Sequence, residues 1–221
     1  MDALLRRRAM IAAGGGSPTP PGPVIEPVFY DNLIFDGVAK IETDYVLPEN
    51  CSIRVSLKNE KNKAAQRVFH ATGGNGLIQM IYGSATTSTT RKVNVYYDST
   101  SVSDTFNRAF SSTLYFWLTP KRCGNYSTAS SYTKGSSHPT GALQIGGWES
   151  GNPFSGDMGT FRVYGSDAQN ASSWEAFENY TPAATFRPCT YNGEAGLWYV
   201  EGNKFFGNTA GAGTLTGSNN S

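Results

Sequence analysis

The chain has 221 residues, which is enough for one large β-sandwich domain with a sizeable core. Only 16% of the residues are charged and the formal net charge is +1, so the basic stripe that phosphate backbones require is absent and nucleic acid is excluded as the main partner. No apolar run approaches the ~20 residues of a membrane helix, so no membrane insertion is expected.

Residues 1–27 are predicted to form an N-terminal basic peptide and a tether. Leu4–Ala13 places three arginines before a short apolar run, the order found in a signal peptide, but the apolar run is shorter than the ~7–15 residues of a secretory core. Gly14–Pro27 begins with three glycines and continues with prolines, which favours a flexible and then an extended path. We expect the basic peptide to dock the domain, residues 28–221, onto a larger assembly; a frayed terminus is the alternative.

From residue 28 onward the sequence is dominated by alternation of apolar and polar residues, the pattern of β-strands. Cys51–Lys58 is predicted to be a strand with one solvated face. Leu114–Leu118 is apolar on both faces and precedes Pro120, which predicts a central buried strand. Further predicted strands are Leu77–Tyr82, Val93–Tyr97, Leu143–Ile145 and Phe161–Tyr164. Aromatic residues make up 13% of the chain, and short strands with turn residues between them indicate a sandwich or jelly roll.

One short helix is predicted after the tether. Ser172–Glu175 has the spacing of a capping box, in which Ser and Glu side chains satisfy the first backbone N–H groups of a helix. In this helix Trp174 and Phe177 would face the sheet. No pattern of alternating strands and helices supports a parallel sheet.

The segment from Leu143 to Tyr164 resembles the closing strands of laminin-G/concanavalin-A-like domains. It carries Ile-Gly-Gly at 145–147, a loop, and then Phe154 before Phe161-Arg-Val-Tyr164. The opening, Asn32–Gly37 followed by Ile41–Asp44, is similar to the start of the same family. The resemblance implies an all-β, concanavalin-A-like (laminin-G-like) antiparallel β-sandwich over residues 28–165.

The C-terminal stretch resembles the tail of laminin-G-like proteins carried by bacteriophages and prophages of gut bacteria. The similar segments are Phe186–Cys189, Gly193–Leu197, Lys204–Asn208 and Gly211–Gly217. Trp198-Tyr199 stands where that family usually has Tyr-Asp. The resemblance implies a virion protein, such as a tail or head fibre or a head decoration module. Its partners would be other virion proteins, host-surface glycan and further copies of itself in a homo-oligomer.

The catalytic motif expected of an enzyme with this fold is incomplete in the sequence. Glucanases of this fold use E-x-D-x-x-E, which needs two carboxylates about 5–5.5 Å apart in retaining enzymes. Glu42 and Asp44 share a strand face, but Leu47 stands in place of the final Glu. His70 and His138 are predicted to lie in loops, and no G-x-S-x-G is present. The sequence therefore predicts a non-catalytic protein.

Calcium is the one cofactor that the resemblance implies, held at the rim of the sandwich by carboxylates and carbonyls. No spacing selects among the candidates, so the metal is left unknown; they are Asp31, Asp36, Asp98, Asp104 and Asp157. Three cysteines without a CxxC pair exclude a zinc knuckle. We expect three reduced thiols; one disulfide and one free thiol is the alternative.

Saccharide binding requires an exposed aromatic face beside amides and carboxylates. The loop at 148–152 supplies those types, and the predicted ligand-binding residues are Trp148, Glu149 and Asn152. The tract from Tyr126 to Tyr132 is a second candidate. The leading hypothesis is a phage virion protein displaying a lectin-like sandwich. A secreted or cell-surface carbohydrate-binding module of a gut bacterium is the alternative, followed by a glycoside hydrolase.

Overall fold

The computed structural model describes residues 25–61, 65–82, 90–107, 112–126, 128–147 and 152–220. Within these ranges the chain forms short strands and two 3₁₀ helices, Ser166–Asn170 and Glu175–Asn179. The strands are β1 Val28–Phe29, β2 Asn32–Asp36, β3 Ile41–Val46, β4 Ser52–Lys58, β5 Gln66–Gly73, β6 Gly76–Tyr82, β7 Thr90–Tyr97, β8 Thr100–Asn107, β9 Leu114–Leu118, β10 Arg122–Asn125, β11 Thr128–Ser131, β12 Ala142–Ile145, β13 Asn152–Pro153, β14 Ser155–Met158, β15 Phe161–Tyr164, β16 Pro182–Tyr191, β17 Glu194–Tyr199, β18 Lys204–Phe206 and β19 Leu215–Ser218.

The strands make two sheets. The first has the order β11-β10-β9-β4-β15-β16-β17-β18, with β1, β14, β2 and β19 joined to its side; the second has the order β3-β12-β5-β6-β7-β8, with β13 beside β5. All described pairings are antiparallel except the two-residue pairing of β13 with β5. The predicted all-β antiparallel sandwich is confirmed. No helix among the described residues is long and apolar enough to cross a membrane.

The core lies between the two sheets and is built around aromatic rings. Phe69 of the second sheet packs edge-on against Phe161 of the first, with ring centroids 5.2 Å apart, and Phe161 contacts Phe186 at 6.2 Å. Strand β9 lies between β4 and β10, and Phe116 on it packs against Phe69. Leu114–Leu118 is therefore an interior strand, as predicted, but the predicted burial of both faces is wrong at Tyr115, which is 37% exposed. Burying each such ring is worth about 1.5–3 kcal/mol.

The predicted solvated face of Cys51–Lys58 is wrong at Ser52 and Arg54. Both residues point away from the main core, yet they are only 0% and 6% exposed. The cause is the segment from residue 166 to residue 180, which packs over this outer face of the first sheet. Its Phe177 is fully buried, 4.8 Å from the ring of Tyr164 and 6.3 Å from that of Trp117. A second, smaller core therefore lies outside the first sheet.

The covering segment has two 3₁₀ helices where the sequence predicted one short helix. Phe177 faces the sheet as expected. The predicted capping box of Ser172 and Glu175 is wrong, because the second helix begins at Glu175 after Trp174 and no side chain caps it; the Ser173 hydroxyl accepts a hydrogen bond from the backbone N–H of Ala176 at 3.2 Å. Each helix is only five residues long. Because so few residues lie between the tight turns, 3₁₀ geometry suits them better than a regular α-helix.

His138 has a structural role beyond that of the turn residue the sequence suggested. Its Nδ1 lies 2.9 Å from Oδ1 of Asp98, and its Nε2 lies 2.9 Å from the carbonyl oxygen of Leu47. Each ring nitrogen of His138 thus lies within hydrogen-bond distance of an oxygen acceptor. The Asp98 side chain is only 2% exposed, and Lys134 approaches it at 3.4 Å. His138 thus joins the loop after β11 to the ends of β3 and β7.

His70 does not lie in a loop, so that prediction is wrong. It lies on β5 and is 1% exposed. Burial lowers the pKa of its imidazole to about 4, so the ring is neutral near pH 7.

The three cysteines are each fully buried and none is bonded to another; they are Cys51, Cys123 and Cys189. Burial raises the pKa of Cys51 to about 12 and that of Cys189 to about 11, which suppresses the reactive thiolate.

We expect a chromogenic disulfide reagent at pH 8 to leave the native protein unmodified for minutes and to count three thiols after denaturation in guanidinium chloride. A thiol that reacts rapidly in the native protein would contradict this packing.

Candidate functional site

Three aromatic side chains meet on the outer face of the first sheet, and we call them the aromatic shelf: Tyr115, Tyr126 and Trp174. The rings of Tyr115 and Trp174 are 5.0 Å apart and those of Tyr115 and Tyr126 are 5.7 Å apart, both edge-on. Tyr115 is 37% exposed and Tyr126 is 48% exposed. Three adjoining rings with accessible surface form an apolar platform at the surface of the protein.

The shelf is assembled by residues distant in sequence. Tyr115 lies on β9 two residues before Trp117, so both side chains point to the outer face. Tyr126 follows β10 in a left-handed conformation, with φ of +49°. Its carbonyl accepts hydrogen bonds from the indole N–H of Trp117 at 3.1 Å and from the backbone N–H of Trp174 at 2.8 Å. This shared acceptor fixes the covering segment against β10.

Gly124 on β10 permits this packing. A Cβ atom at that position would lie 2.7 Å from the indole of Trp117 and 2.1 Å from the carbonyl oxygen of Thr128. Only glycine leaves room for the indole beside the strand. The indole of Trp117 therefore fits beside β10, where its N–H bonds the carbonyl of Tyr126 in the shelf.

Polar groups surround the shelf. The hydroxyl of Tyr126 donates to the carboxylate of Glu175, which raises the pKa of Tyr126 and lowers that of Glu175. The guanidinium of Arg54 stacks on the ring of Trp174 at 3.9 Å and pairs with Glu178 at 2.6 Å. Arg54 thus contacts one side of the aromatic shelf, and the exposed carboxylates of Glu175 and Glu178 lie at its edge.

A small polar cleft of about 160 Å³ adjoins Tyr115. Tyr115 faces Ser56 across the β4–β9 pairing, and beyond Ser56 the side chain of Asn32 donates to Asn220 at 2.9 Å. The full lining is Asn32, Ser56, Leu57, Lys58, Thr113, Tyr115 and Asn220. An aromatic ring beside amides, a hydroxyl and an ammonium group has the chemistry to stack on a sugar ring and bond its hydroxyls.

Two of the predicted ligand-binding residues, Trp148 and Glu149, lie outside the described residues. The third, Asn152, begins β13, is exposed, and pairs with Gln66 of β5. At the other end of this loop, the backbone of Gly147 hydrogen-bonds to His70. The loop is therefore anchored at both ends beside β5 of the second sheet, away from the aromatic shelf.

Near those anchors a row of polar side chains crosses the outer face of the second sheet. Successive strand pairings place its members directly opposite one another: Glu42, Gln144, His70, Gln79 and Tyr96. Because directly paired residues point to the same face, the row is continuous across β3, β12, β5, β6 and β7. Glu42, Gln144 and Tyr96 are partly exposed, whereas His70 and Gln79 are only 1% and 5% exposed.

The tract from Tyr126 to Tyr132 is divided by the fold. Tyr126 joins the shelf, whereas Tyr132 is partly buried, with its hydroxyl bonded to the carbonyl oxygen of Thr119 and its ring 6.2 Å from Tyr97. Burial raises the pKa of Tyr132 far above its usual value. The two tyrosines therefore do not form one binding surface.

The carboxylates of Glu42 and Asp44 do not act as a pair. Glu42 bonds to Lys40 at 2.8 Å, and Asp44 bonds to Lys204 of β18. The bond from Lys204 lowers the pKa of Asp44, so this carboxyl stays ionised. A general acid needs a pKa above its usual value, so Asp44 is unsuited to that role.

Asp36 is engaged by the backbone. Its Oδ1 accepts the N–H groups of Val38 at 2.8 Å and Ala39 at 2.9 Å, and its Oδ2 accepts the N–H of Thr214. Burial raises the pKa of Asp36, but hydrogen bonds from backbone N–H groups together outweigh it, so the net shift is downward. This calcium candidate closes the turn after β2 and fastens it to the C-terminal strand.

Other calcium candidates are also bonded to protein donors. Asp31 accepts the backbone N–H of Asn220 at 2.9 Å, and Asp157 accepts the side-chain amide of Asn59 at 2.7 Å. The side chain of Asp104 lies outside the described part of β8. Among the described residues, no group of three or more His, Cys, Asp or Glu side chains could hold a metal ion. A rim calcium stays a prediction.

Sequence reasoning missed Tyr115 and Trp174 as candidate site residues. The apolar run around Tyr115 indicates a strand buried on both faces, and the spacing of Trp174 predicts that it faces the sheet. Neither pattern predicts that Tyr115 stays exposed beside the covering segment, because that exposure depends on the path of residues 166–180. Tyr126 was found, through its Ser- and Thr-rich surroundings.

Comparisons with known proteins give a limited result. No protein-family model matches the chain, and no curated protein matches it. Among solved structures, a native heptameric SAP-like pentraxin from Limulus polyphemus is similar with a TM-score of 0.48 and 11% sequence identity, covering 60% of this chain and 74% of the pentraxin chain.

Proposed function

We propose that this chain is a non-catalytic saccharide-binding protein of a bacteriophage virion, and that the aromatic shelf is its binding site. The observation that carries the proposal is the contact of Tyr115 with both Trp174 and the polar cleft. One ring of a sugar would stack on the shelf while its hydroxyls bond the amides of the cleft. Aromatic surface supplies the affinity, and the fixed polar groups supply the orientation.

Rigidity of the shelf supports this proposal. Arg54 stacks on the ring of Trp174, and the carbonyl of Tyr126 accepts a hydrogen bond from the backbone N–H of Trp174. A surface that is already ordered loses little conformational entropy when a ligand binds. The exposed aromatic area is therefore available for binding without reorganisation.

The virion assignment rests on the sequence resemblance to laminin-G-like phage proteins. In this proposal residues 1–27 attach the domain to other virion proteins, as a fibre or head decoration. Many copies on one particle, or a homo-oligomer, would raise the effective affinity of a weak site for a glycan-coated host surface. The loop at 148–152 is a second proposed contact, since its anchors lie beside the polar row.

The test is a glycan array with the full chain, with and without calcium. We expect Tyr115→Ala to weaken binding about tenfold or more, because one stacked ring contributes roughly 1.5–3 kcal/mol. Tyr96→Ala is the matched control, since it removes a tyrosine from the outer face of the other sheet. Trp148→Ala measures the contribution of the predicted loop in the same assay.

Two outcomes would contradict the shelf as the site. One is an array on which the wild-type chain binds no glycan with or without calcium. The other is binding that Tyr96→Ala or Trp148→Ala abolishes while Tyr115→Ala leaves it unchanged. The second outcome would move the site to the polar row on the second sheet.

A further inference from the structure

A second cleft, of about 250 Å³, lies beyond the far end of β9 from the aromatic shelf. Tyr115 lies near the start of that strand, and Pro120 and Lys121 follow its other end. Five extended residues separate Tyr115 from Pro120, a distance of roughly 17 Å. We call it the lysine cleft, and its lining is Asn50, Pro120, Lys121, Tyr132, Thr133, Lys134 and Gln169.

The charge of the lysine cleft is positive. Lys121 is exposed, and its ammonium donates to the neutral side-chain oxygen of Asn170 at 2.8 Å. Lys134 is 3.4 Å from Asp98, but that carboxylate also binds His138 and is almost completely buried. No lining residue is acidic. Two lysines thus line a cleft that has no acidic lining residue, and the ammonium of Lys134 is also paired with the buried carboxylate of Asp98.

The remaining lining groups are neutral and polar. Asn50 and Gln169 offer side-chain amides, and Thr133 offers a hydroxyl. Tyr132 contributes little polar character, because its hydroxyl is bonded to the carbonyl oxygen of Thr119 and its ring packs against Tyr97. Amides, a hydroxyl and a ring are the groups that recognise a polyhydroxylated ring, whereas a bare inorganic anion would use the ammonium groups alone.

We infer that the lysine cleft binds the carboxylate-bearing residue of an acidic saccharide. Lys121 and Lys134 hold the carboxylate by charge-assisted hydrogen bonds, and the amides of Asn50 and Gln169 bond the ring hydroxyls. This site uses none of the residues of the aromatic shelf, so it can be true or false independently of the function proposed above.

The test is a titration of the full, isotope-labelled chain with D-glucuronate, followed by amide resonances in two-dimensional NMR spectra. We expect saturable shifts at Lys121, Lys134 and Gln169, and none with D-glucose at the same concentrations. Lys121→Gln should weaken glucuronate binding about tenfold, the effect of losing one charge-assisted bond. Arg122→Gln, which removes the neighbouring exposed cation outside the lining, should change the affinity less than twofold.

Several results would overturn the inference. They are the absence of saturable shifts, equal shifts with glucose, or equal losses in Lys121→Gln and Arg122→Gln. Inorganic sulfate that binds as tightly as glucuronate would reduce the cleft to a simple anion site. Loss of glucuronate binding in Tyr115→Ala, with the spectrum otherwise native, would assign the ligand to the aromatic shelf instead.

Discussion

Replacing Phe177 with Ala is expected to lower the free energy of unfolding by about 3–5 kcal/mol and to weaken saccharide binding, although Phe177 is fully buried. Its ring packs against those of both Trp117 and Tyr164 on the first sheet. Without it, the segment loses its anchor and Trp174 leaves the shelf. Urea unfolding gives the stability, and glycan binding at low temperature gives the function.

Phe161→Ala is the matched control, because it removes a fully buried phenylalanine from the main core. We expect a similar loss of stability but unchanged affinity for glycan in the folded fraction. Phe177→Leu keeps most of the apolar volume at this position. It therefore shows whether weaker binding follows from incomplete folding or from displacement of Trp174. Unchanged glycan binding in folded Phe177→Ala protein would show that the covering segment does not support the site.

His138→Ala is expected to lower the free energy of unfolding by about 3 kcal/mol, the second largest effect among these predictions. After this change the buried carboxylate of Asp98 keeps Lys134 at 3.4 Å but loses its contact with the imidazole. The carbonyl of Leu47 loses its contact with the same ring. An uncompensated buried charge is costly. Lys134→Ala should cost at most about 1 kcal/mol, because its side chain is 40% exposed.

A double-mutant cycle with Asp98→Asn isolates this interaction. Asn tolerates the left-handed backbone at position 98, where φ is +48°, so the change removes charge with little strain. We expect the double variant to be less destabilised than the sum of the two single variants, since no buried charge is left unpaired. Strictly additive losses would mean that His138 and Asp98 do not interact as the structure shows.

The strands of this protein are largely predictable from alternation, because each side chain on a strand points to one face or the other. The unbroken apolar run of Leu114–Leu118 indicated an interior strand, and β9 is one, although Tyr115 on its outer face is exposed. Arg54 shows the limit. Its polar side chain indicated solvent, but a segment more than a hundred residues later covers it, and local sequence does not encode that contact.

The candidate site was predictable only in part for the same reason. Tyr126 could be proposed because it lies in a polar tract, where an aromatic ring is conspicuous. Tyr115 could not, since an aromatic residue in an apolar strand is ordinarily core. His138 likewise gave no local sign that Asp98, forty residues earlier, would be its partner. Long-range packing decides such roles, and it is set by the order of strands in the sheet.

The four tryptophans of the chain allow one direct test of the aromatic shelf. Each indole N–H gives its own NMR resonance, which can be followed while the glycan ranked highest on the array is added. We predict a large, saturable shift at Trp174, a smaller one at Trp117, which bonds the carbonyl of Tyr126, and none at Trp198. A shift confined to Trp148, with Trp174 unmoved, would contradict the shelf and place the ligand on the 148–152 loop.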